Sequence, residues 1–142
     1  IDPYFLKLLN LLRAKKINTA ILSDNFDYIL KKILAGNAVG RIKIYSNKMY
    51  FSDERLVPEF PFRNKKCRVC AHCKKKNLLA NIGGQSIIIY IGDGRSDFCP
   101  AKCAQIVFAK DELLEFCRKE KLFHIPYKGL RQVYAYFKRR LG

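Results

Sequence analysis

An isoleucine-rich run that stops at a glycine is the feature that most restricts how this 142-residue chain can fold. Residues 87–91 read Ile-Ile-Ile-Tyr-Ile, and residues 92–97 read Gly-Asp-Gly-Arg-Ser-Asp. A short continuous apolar run bounded by a glycine turn is typical of a strand that is buried on both faces of a parallel sheet. Parallel strands need long crossover connections, usually helices, so the run predicts an α/β fold.

The remaining hydrophobic pattern fits that fold class, because helical and strand-like segments alternate along the chain. The predicted helices cover residues 3–16, 26–34, 73–81, 98–104, 111–121 and 128–141, and the predicted strands cover 18–23, 86–91 and 105–109, with a turn at 24–25. Around Ser46 and Asn47, apolar and polar residues alternate, which predicts a small β-hairpin with its turn there. We expect one domain over residues 1–142, a parallel sheet flanked by helices, with this hairpin as an insertion.

Basic side chains dominate the charge of the chain. Lysine and arginine number 28 against 12 aspartates and glutamates, giving a formal net charge of +16. Such a charge favours anionic partners, although an ordinary solvated surface accounts for it equally well. The sequence contains no recognisable nucleic-acid-binding motif, no secretory signal and no apolar run long enough to span a bilayer. We therefore expect a cytoplasmic protein that has no membrane partner, and no motif favours nucleic acid as its partner.

Two carboxylates, Asp93 and Asp97, follow the isoleucine-rich run and lie four residues apart. Open α/β sheets bind ligands at the carboxyl ends of their strands. Carboxylate oxygens at such a place suit a hard cation such as Mg²⁺. An acidic turn that only caps the next helix would explain the same two residues, since Asp and Gly are common in turns.

Three segments, taken in chain order, carry a resemblance to a known superfamily. They are Ser23 within Ile-Leu-Ser-Asp-Asn-Phe-Asp-Tyr (21–28), Lys74 after Cys73, and Gly-Asp-Gly-Arg-Ser-Asp at 92–97. Together they resemble motifs two, three and four of the haloacid dehalogenase (HAD) superfamily of phosphotransferases. Residues 67–74, 93–101 and 107–110 are similar to the phosphoserine phosphatase-like branch that holds the methylthiopentenyl-phosphate and phosphocholine or phosphoethanolamine phosphatases. The resemblance covers nearly the whole chain.

The resemblance implies a Rossmann-like HAD core that hydrolyses a small phosphorylated metabolite with Mg²⁺, through an aspartyl-phosphate. Ser23 and Lys74 would be catalytic and, with Asp24, would bind the phosphate group. Asp93 would bind Mg²⁺, and Asp97 would bind it directly or through a second layer of contacts. Two plainer roles stay open: Ser23 as a helix cap, and Lys75 or Lys76 in place of Lys74.

The sequence departs from this superfamily in two places. The family nucleophile is the first aspartate of an Asp-x-Asp motif, and no Asp-x-Asp occurs in these 142 residues. The resemblance thus implies that the first core strand and the helical cap are missing, and that a further segment or a second chain supplies the nucleophile. This chain alone would be inactive. The family also has small residues where Asp24 and Asn25 follow Ser23, so substrate choice would differ from that of the family.

The alternative to a phosphatase is a non-catalytic basic domain that binds nucleic acid or another anionic partner.

Three of the six cysteines form a cluster at Cys67, Cys70 and Cys73, with His72 inside it. Taken alone, this spacing indicates a Zn²⁺ site or an iron–sulfur cluster. Reduced thiols are the other interpretation, because nothing in the sequence indicates secretion. Similar cysteines flank the motif-three lysine in the phosphatase branch named above. A structural Zn²⁺ site and plain thiols both stay open.

Overall fold

The computed structural model describes residues 1–37, 39–66 and 72–142 of the chain. Within these ranges helices and strands alternate, as the hydrophobic pattern predicts. The helices are α1 (Phe5–Ala14), α2 (Asp27–Gly36), α3 (Lys74–Ala80), α4 (Phe98–Ala101), α5 (Asp111–Lys119) and α6 (Leu130–Leu141), and a 3₁₀ turn (Arg95–Asp97) precedes α4. The strands are β1 (Ala20–Phe26), β2 (Lys43–Ser52), β3 (Arg55–Glu59), β4 (Ile89–Gly92), β5 (Ile106–Ala109) and β6 (His124–Pro126).

The strands form two three-stranded sheets, in the orders β1-β2-β3 and β4-β5-β6. The isoleucine-rich run supplies β4, which pairs with β5 in parallel from Ile89 opposite Ile106 to Gly92 opposite Ala109. The pairs β5–β6 and β1–β2 are also parallel, and β2–β3 is antiparallel. The predicted α/β fold with a parallel sheet and a hairpin is therefore confirmed.

The apolar core lies on both faces of the β4-β5-β6 sheet. On one face Phe108 packs with residues of α1 and α6, namely Leu8, Leu12, Val133 and Phe137. On the other face Val107 and Ala109 pack with residues of β4, α4 and α5, namely Tyr90, Ala101, Leu113 and Cys117. Successive strand residues point to opposite faces, so helices cover the sheet on both sides. This double coverage explains why the strand sequence is apolar throughout.

The predicted position of the hairpin turn was wrong. Ser46 and Asn47 lie inside β2 and are buried, and the turn between β2 and β3 is formed by Asp53 and Glu54. Both turn residues have positive φ, 48° and 60°, as a two-residue hairpin turn requires. Asn47 is polar for another reason: its Nδ2 donates a 2.7 Å hydrogen bond to the backbone carbonyl of Asp24.

Strand β1 contains an irregularity at the predicted turn. Leu22 pairs with Tyr45 and Phe26 with Asn47, so four steps along β1 match two steps along β2. Residues 23–25 therefore bulge out of the ladder, and the strand resumes at Phe26.

The three-residue strand β6 was not predicted, because it is too short to show a hydrophobic period. No helix of the described ranges is long and apolar enough to cross a membrane.

Candidate active site

A buried carboxylate, Asp97, forms the centre of the candidate site. Its Oδ1 accepts hydrogen bonds from Lys74 Nζ and from the hydroxyl of Tyr90, both at 2.8 Å. Its Oδ2 accepts from the backbone N–H groups of Asp93 at 3.0 Å and Gly94 at 3.2 Å. Four donors thus occupy the two oxygens, which leaves Asp97 little capacity to bind a cation directly.

The charge state of Asp97 follows from these contacts. Burial alone would raise the pKa of Asp97, but the Lys74 ammonium and the hydrogen bonds outweigh it and hold that pKa below its ordinary value. Burial and the Asp97 charge together raise the pKa of Tyr90, so its hydroxyl stays protonated and donates. The site therefore contains an ionised Asp97 paired with a charged Lys74.

Gly92 is required by the close approach of Asp97. A Cβ atom at Gly92 would lie 2.6 Å from Oδ2 of Asp97 and 2.7 Å from its Cγ, closer than real contacts allow. Gly94 is different, since a Cβ atom there would meet nothing within 4 Å. The first glycine of the Gly-Asp-Gly turn thus makes room for the buried carboxylate.

Asp93 differs from Asp97 in exposure. Its side chain is 58% exposed at the carboxyl end of β4, and Lys110 Nζ lies 3.5 Å from its Oδ2. Its oxygens are open to a cation, whereas those of Asp97 are occupied. The described residues contain no group of three or more His, Cys, Asp or Glu that could hold a metal ion. Asp93 therefore fits Mg²⁺ as one ligand, and further oxygens would have to come from water, the substrate or another segment.

Ser23 lies in the β1 bulge. Its Oγ accepts a 3.1 Å hydrogen bond from the backbone N–H of Asn25, so its own O–H is left to donate. It does not cap α2, because that helix begins at Asp27 after an uncapped Phe26. The carboxylate of Asp24 is exposed, and its backbone carbonyl is held by Asn47.

Of the three neighbouring lysines, Lys74 is the one that enters the site. Lys74 is buried, and its Nζ also donates to Ser96 Oγ at 2.8 Å. Lys75 and Lys76 are exposed. The Lys74 side chain therefore points from the first turn of α3 towards the end of β4.

His72 has a role that the sequence did not reveal. Its Nδ1 lies 2.8 Å from the carbonyl oxygen of Ser23, and its Nε2 lies 2.5 Å from Nδ2 of Asn77. With both nitrogens engaged, this imidazole offers no free lone pair to zinc. Cys67 and Cys70 lie outside the described residues, and the Sγ of Cys73 is 3.9 Å from Asn64 Nδ2. The zinc prediction for the three cysteines stays a prediction.

Helix α3 connects the bulge inside β1 with the turn that follows β4. Its Lys74 contacts Asp97 after β4, and His72, just before the helix, contacts Ser23 in β1. Leu22 of β1 packs against the core cluster that contains Tyr90 of β4. One short helix thus links three of the four residues that resemble superfamily motifs: Ser23, Lys74 and Asp97. Asp93 adjoins these three residues.

Comparison with known proteins identifies the family. Residues 1–121, most of the chain, match the family model described as "Putative Phosphatase". The chain belongs to this phosphatase family. The prediction of a phosphatase is thereby confirmed.

Similar proteins agree with the phosphatase family assignment. The 2-hydroxy-3-keto-5-methylthiopentenyl-1-phosphate phosphatase of Bacillus pumilus is 32% identical over 82% of this chain, and that of Exiguobacterium sp. is 29% identical over 83%. The chain spans only 51% and 55% of these two relatives, respectively. A HAD family hydrolase from Salmonella enterica serovar Typhi matches the fold with a TM-score of 0.62 over 94% of this chain and 45% of that one, at 21% identity.

Proposed function

We propose that these residues form the core of a Mg²⁺-dependent phosphomonoesterase, which hydrolyses a small phosphorylated metabolite through an aspartyl-phosphate in the cytoplasm. The observation that carries the proposal is the buried Lys74–Asp97 pair, which α3 holds beside the Ser23 bulge. Phosphoryl transfer depends mainly on positioning and on neutralising negative charge. A fixed cation and a hydroxyl that is left to donate, both held in place through α3, suit that task.

Lys74 and Ser23 would bind the phosphate group. An ammonium has three N–H donors, and Lys74 uses two of them on Asp97 and Ser96. Its third N–H would donate to a phosphate oxygen, as would the hydroxyl of Ser23. The exposed carboxylate of Asp24 would lie near the substrate and favour a leaving group that carries a positive charge or a hydrogen-bond donor.

Asp93 would bind Mg²⁺, and Asp97 would position Asp93. Asp97 accepts from the backbone N–H of Asp93, so it fixes the place where the Asp93 side chain leaves the turn. When bound, Mg²⁺ would supply positive charge that balances the phosphate oxygens. Lys110, 3.5 Å from Asp93, would release that carboxylate to the cation.

The nucleophile would come from a segment other than these 142 residues, since they contain no Asp-x-Asp. Its carboxylate oxygen would bond to phosphorus as the ester P–O bond breaks, and water would then hydrolyse the aspartyl-phosphate. Among the described strands, β1 and β4 each end a sheet and pair on one side only, which supports a further strand beside them. Without that segment the chain would be inactive.

The test is hydrolysis of p-nitrophenyl phosphate by the protein at its natural length. We expect turnover in the presence of Mg²⁺, its loss with excess EDTA and its recovery when Mg²⁺ is added back. Ser23→Ala should lower kcat/KM, and Ser52→Ala, in the distant hairpin, should not. An Asp-x-Asp-containing protein with no turnover on this or other small phosphate esters would refute the proposal.

A second candidate function is binding of an anionic macromolecule. Residues 3–23 and 121–142, which contain the packed helices α1 and α6, include no Asp or Glu. Two tyrosines on this surface, Tyr4 and Tyr134, lie 5.6 Å apart with Lys7 and Lys138 over their rings. Aromatic rings among cations suit single-stranded nucleic acid. Affinity for such a strand that falls steeply with salt would support this function, and salt-independent or absent binding would exclude it.

A further inference from the structure

A buried histidine connects the two parts of the candidate phosphate site. His72 is fully buried, between the carbonyl of Ser23 and the amide of Asn77. A carbonyl oxygen only accepts, so Nδ1 of His72 carries the proton and Nε2 accepts from Asn77. Burial lowers the pKa of His72, and the hydrogen bond to Ser23 opposes this effect only in part. The ring is therefore neutral and has a single tautomer.

Asn77 links His72 to the helix face that carries Lys74. The two residues are three apart on α3 and therefore share one face of the helix, and both are buried. The backbone carbonyl of Asn77 accepts from Asn81 Nδ2 at 2.8 Å, and Asn81 in turn accepts from the hydroxyl of Tyr45 on β2. Hydrogen bonds thus tie α3 to the β1-β2-β3 sheet at both ends, while Lys74 ties it to Asp97.

The Ser23 bulge needs such an external support. Residues 23–25 fall between the paired residues Leu22 and Phe26 in the β1–β2 ladder, so regular strand pairing does not fix their position. Besides hydrogen bonds within the bulge, two side chains from outside it hold its backbone: His72 donates to the carbonyl of Ser23, and Asn47 donates to the carbonyl of Asp24. His72 also hydrogen-bonds Asn77 of the helix that carries Lys74.

We propose that His72 and Asn77 are positioning residues that fix the Ser23 bulge relative to Lys74, so that both donors meet one phosphate group. This inference rests on the proposed function. His72 transfers no proton, because both of its nitrogens are engaged and it has no access to solvent. A displacement of about 1 Å at a reacting group costs on the order of 10²-fold in rate, so loss of this link should be visible in catalysis.

The test compares three variants with wild type in the natural-length protein. His72→Phe keeps the ring and removes both hydrogen bonds. His72→Asn keeps a donor near the place of Nδ1, and Asn77→Leu removes the other partner. The matched control is His124→Phe, since His124 also bonds a backbone carbonyl (Leu122, 2.8 Å) but lies at the start of β6, away from the site.

For His72→Phe we expect kcat/KM on p-nitrophenyl phosphate and affinity for inorganic phosphate to fall by about 10²-fold. His72→Asn should recover most of the phosphate affinity, Asn77→Leu should be intermediate, and His124→Phe should equal wild type. Phosphate affinity of folded His72→Phe within about twofold of wild type would overturn the inference. If His72→Phe does not fold, the test rests on the other two variants. Wild-type phosphate affinity in both His72→Asn and Asn77→Leu would then overturn the inference.

A spectroscopic measurement separates this role from simple core packing. Long-range ¹H–¹⁵N spectra of histidine-labelled protein should show His72 protonated at Nδ1 and unprotonated at Nε2, as its two hydrogen bonds require. In Asn77→Leu the Nε2 resonance should shift. An Nε2–H tautomer would overturn the inference. An inactive wild-type protein with the expected tautomer and phosphate affinity would instead refute only the proposed hydrolysis.

Discussion

Nζ of Lys74 lies 2.8 Å from Oδ1 of Asp97, and both side chains are more than nine-tenths buried. The pair joins the first turn of α3 to the 3₁₀ turn that follows β4, and its two residues are 23 apart in sequence. Removing one member of a buried ion pair leaves an uncompensated charge in a medium that solvates it poorly. The same contact therefore supports the fold and presents the cation that we assign to phosphate binding.

Replacing Lys74 should destabilise the protein strongly. In Lys74→Met we expect the free energy of unfolding to fall by about 3–5 kcal/mol, because Asp97 stays buried without its counter-charge. Equilibrium urea unfolding measures this loss. Lys75→Met is the matched control, since the neighbouring side chain is exposed, and it should change stability by less than about 0.5 kcal/mol. Equal stability of the two variants would contradict the structure of this pair.

The acid sensitivity of folding should depend on Asp97. Its pKa is lower in the folded protein than in the unfolded chain, so the unfolded state binds a proton first as the pH falls. The stabilisation from Asp97 is thus complete near neutral pH and is lost progressively below about pH 5. In Asp97→Asn, unfolding free energies measured between about pH 3 and 7 should show a shallower acid slope than wild type. An unchanged slope would mean that the carboxyl group is not held in its charged form.

The two glycines of the Gly-Asp-Gly turn should tolerate alanine very differently. Gly92→Ala places a methyl group against Asp97 and should cost on the order of 1–3 kcal/mol, as overpacking does. In Gly94→Ala the added Cβ meets no atom within 4 Å, and φ at Gly94 is −116°, a value that alanine adopts without strain. The free energy of unfolding of this variant should therefore stay within about 0.5 kcal/mol of wild type. Thermal unfolding of both variants measures the difference. A larger loss for Gly94→Ala than for Gly92→Ala would contradict the packing around Asp97.

Cation affinity should depend on Asp93. Calorimetric titration of the natural-length protein with Mg²⁺ should show binding about 10- to 100-fold weaker in Asp93→Asn. Stability without Mg²⁺ should hardly change, because the Asp93 side chain is largely exposed. Exposed Asp53, in the hairpin turn, provides the control Asp53→Asn, with wild-type affinity expected. Equal affinity of Asp93→Asn and wild type would exclude Asp93 as a ligand.

Local patterns in the sequence predicted most of the fold. The uninterrupted apolar run identified β4, and the Gly-Asp-Gly-x-x-Asp turn indicated where the site would lie. Burial of a strand on both faces removes polar residues from its sequence, so this signal is strong. The hairpin turn was misplaced because Ser46 and Asn47 have the composition of a turn, whereas their side chains are buried inside β2.

The support around the site could not be predicted from the sequence. His72 contacts Ser23 across 49 residues of chain, and its position among cysteines pointed to metal binding instead. The hydroxyl of Tyr90 binds Asp97, although in the sequence Tyr90 counted only as part of an apolar strand. Such contacts depend on how α3 packs between the sheets, and periodicity carries no information about side-chain partners that are distant in sequence.

The central claim is that Lys74 and the Ser23 bulge bind the phosphate group of a substrate. Its most direct test is kcat/KM for Mg²⁺-dependent hydrolysis of p-nitrophenyl phosphate, compared between Lys74→Ala and Lys75→Ala in the natural-length protein. We expect Lys74→Ala to lose on the order of 10²–10³-fold and Lys75→Ala to retain wild-type activity. Equal activity of a folded Lys74→Ala variant and Lys75→Ala would contradict the account.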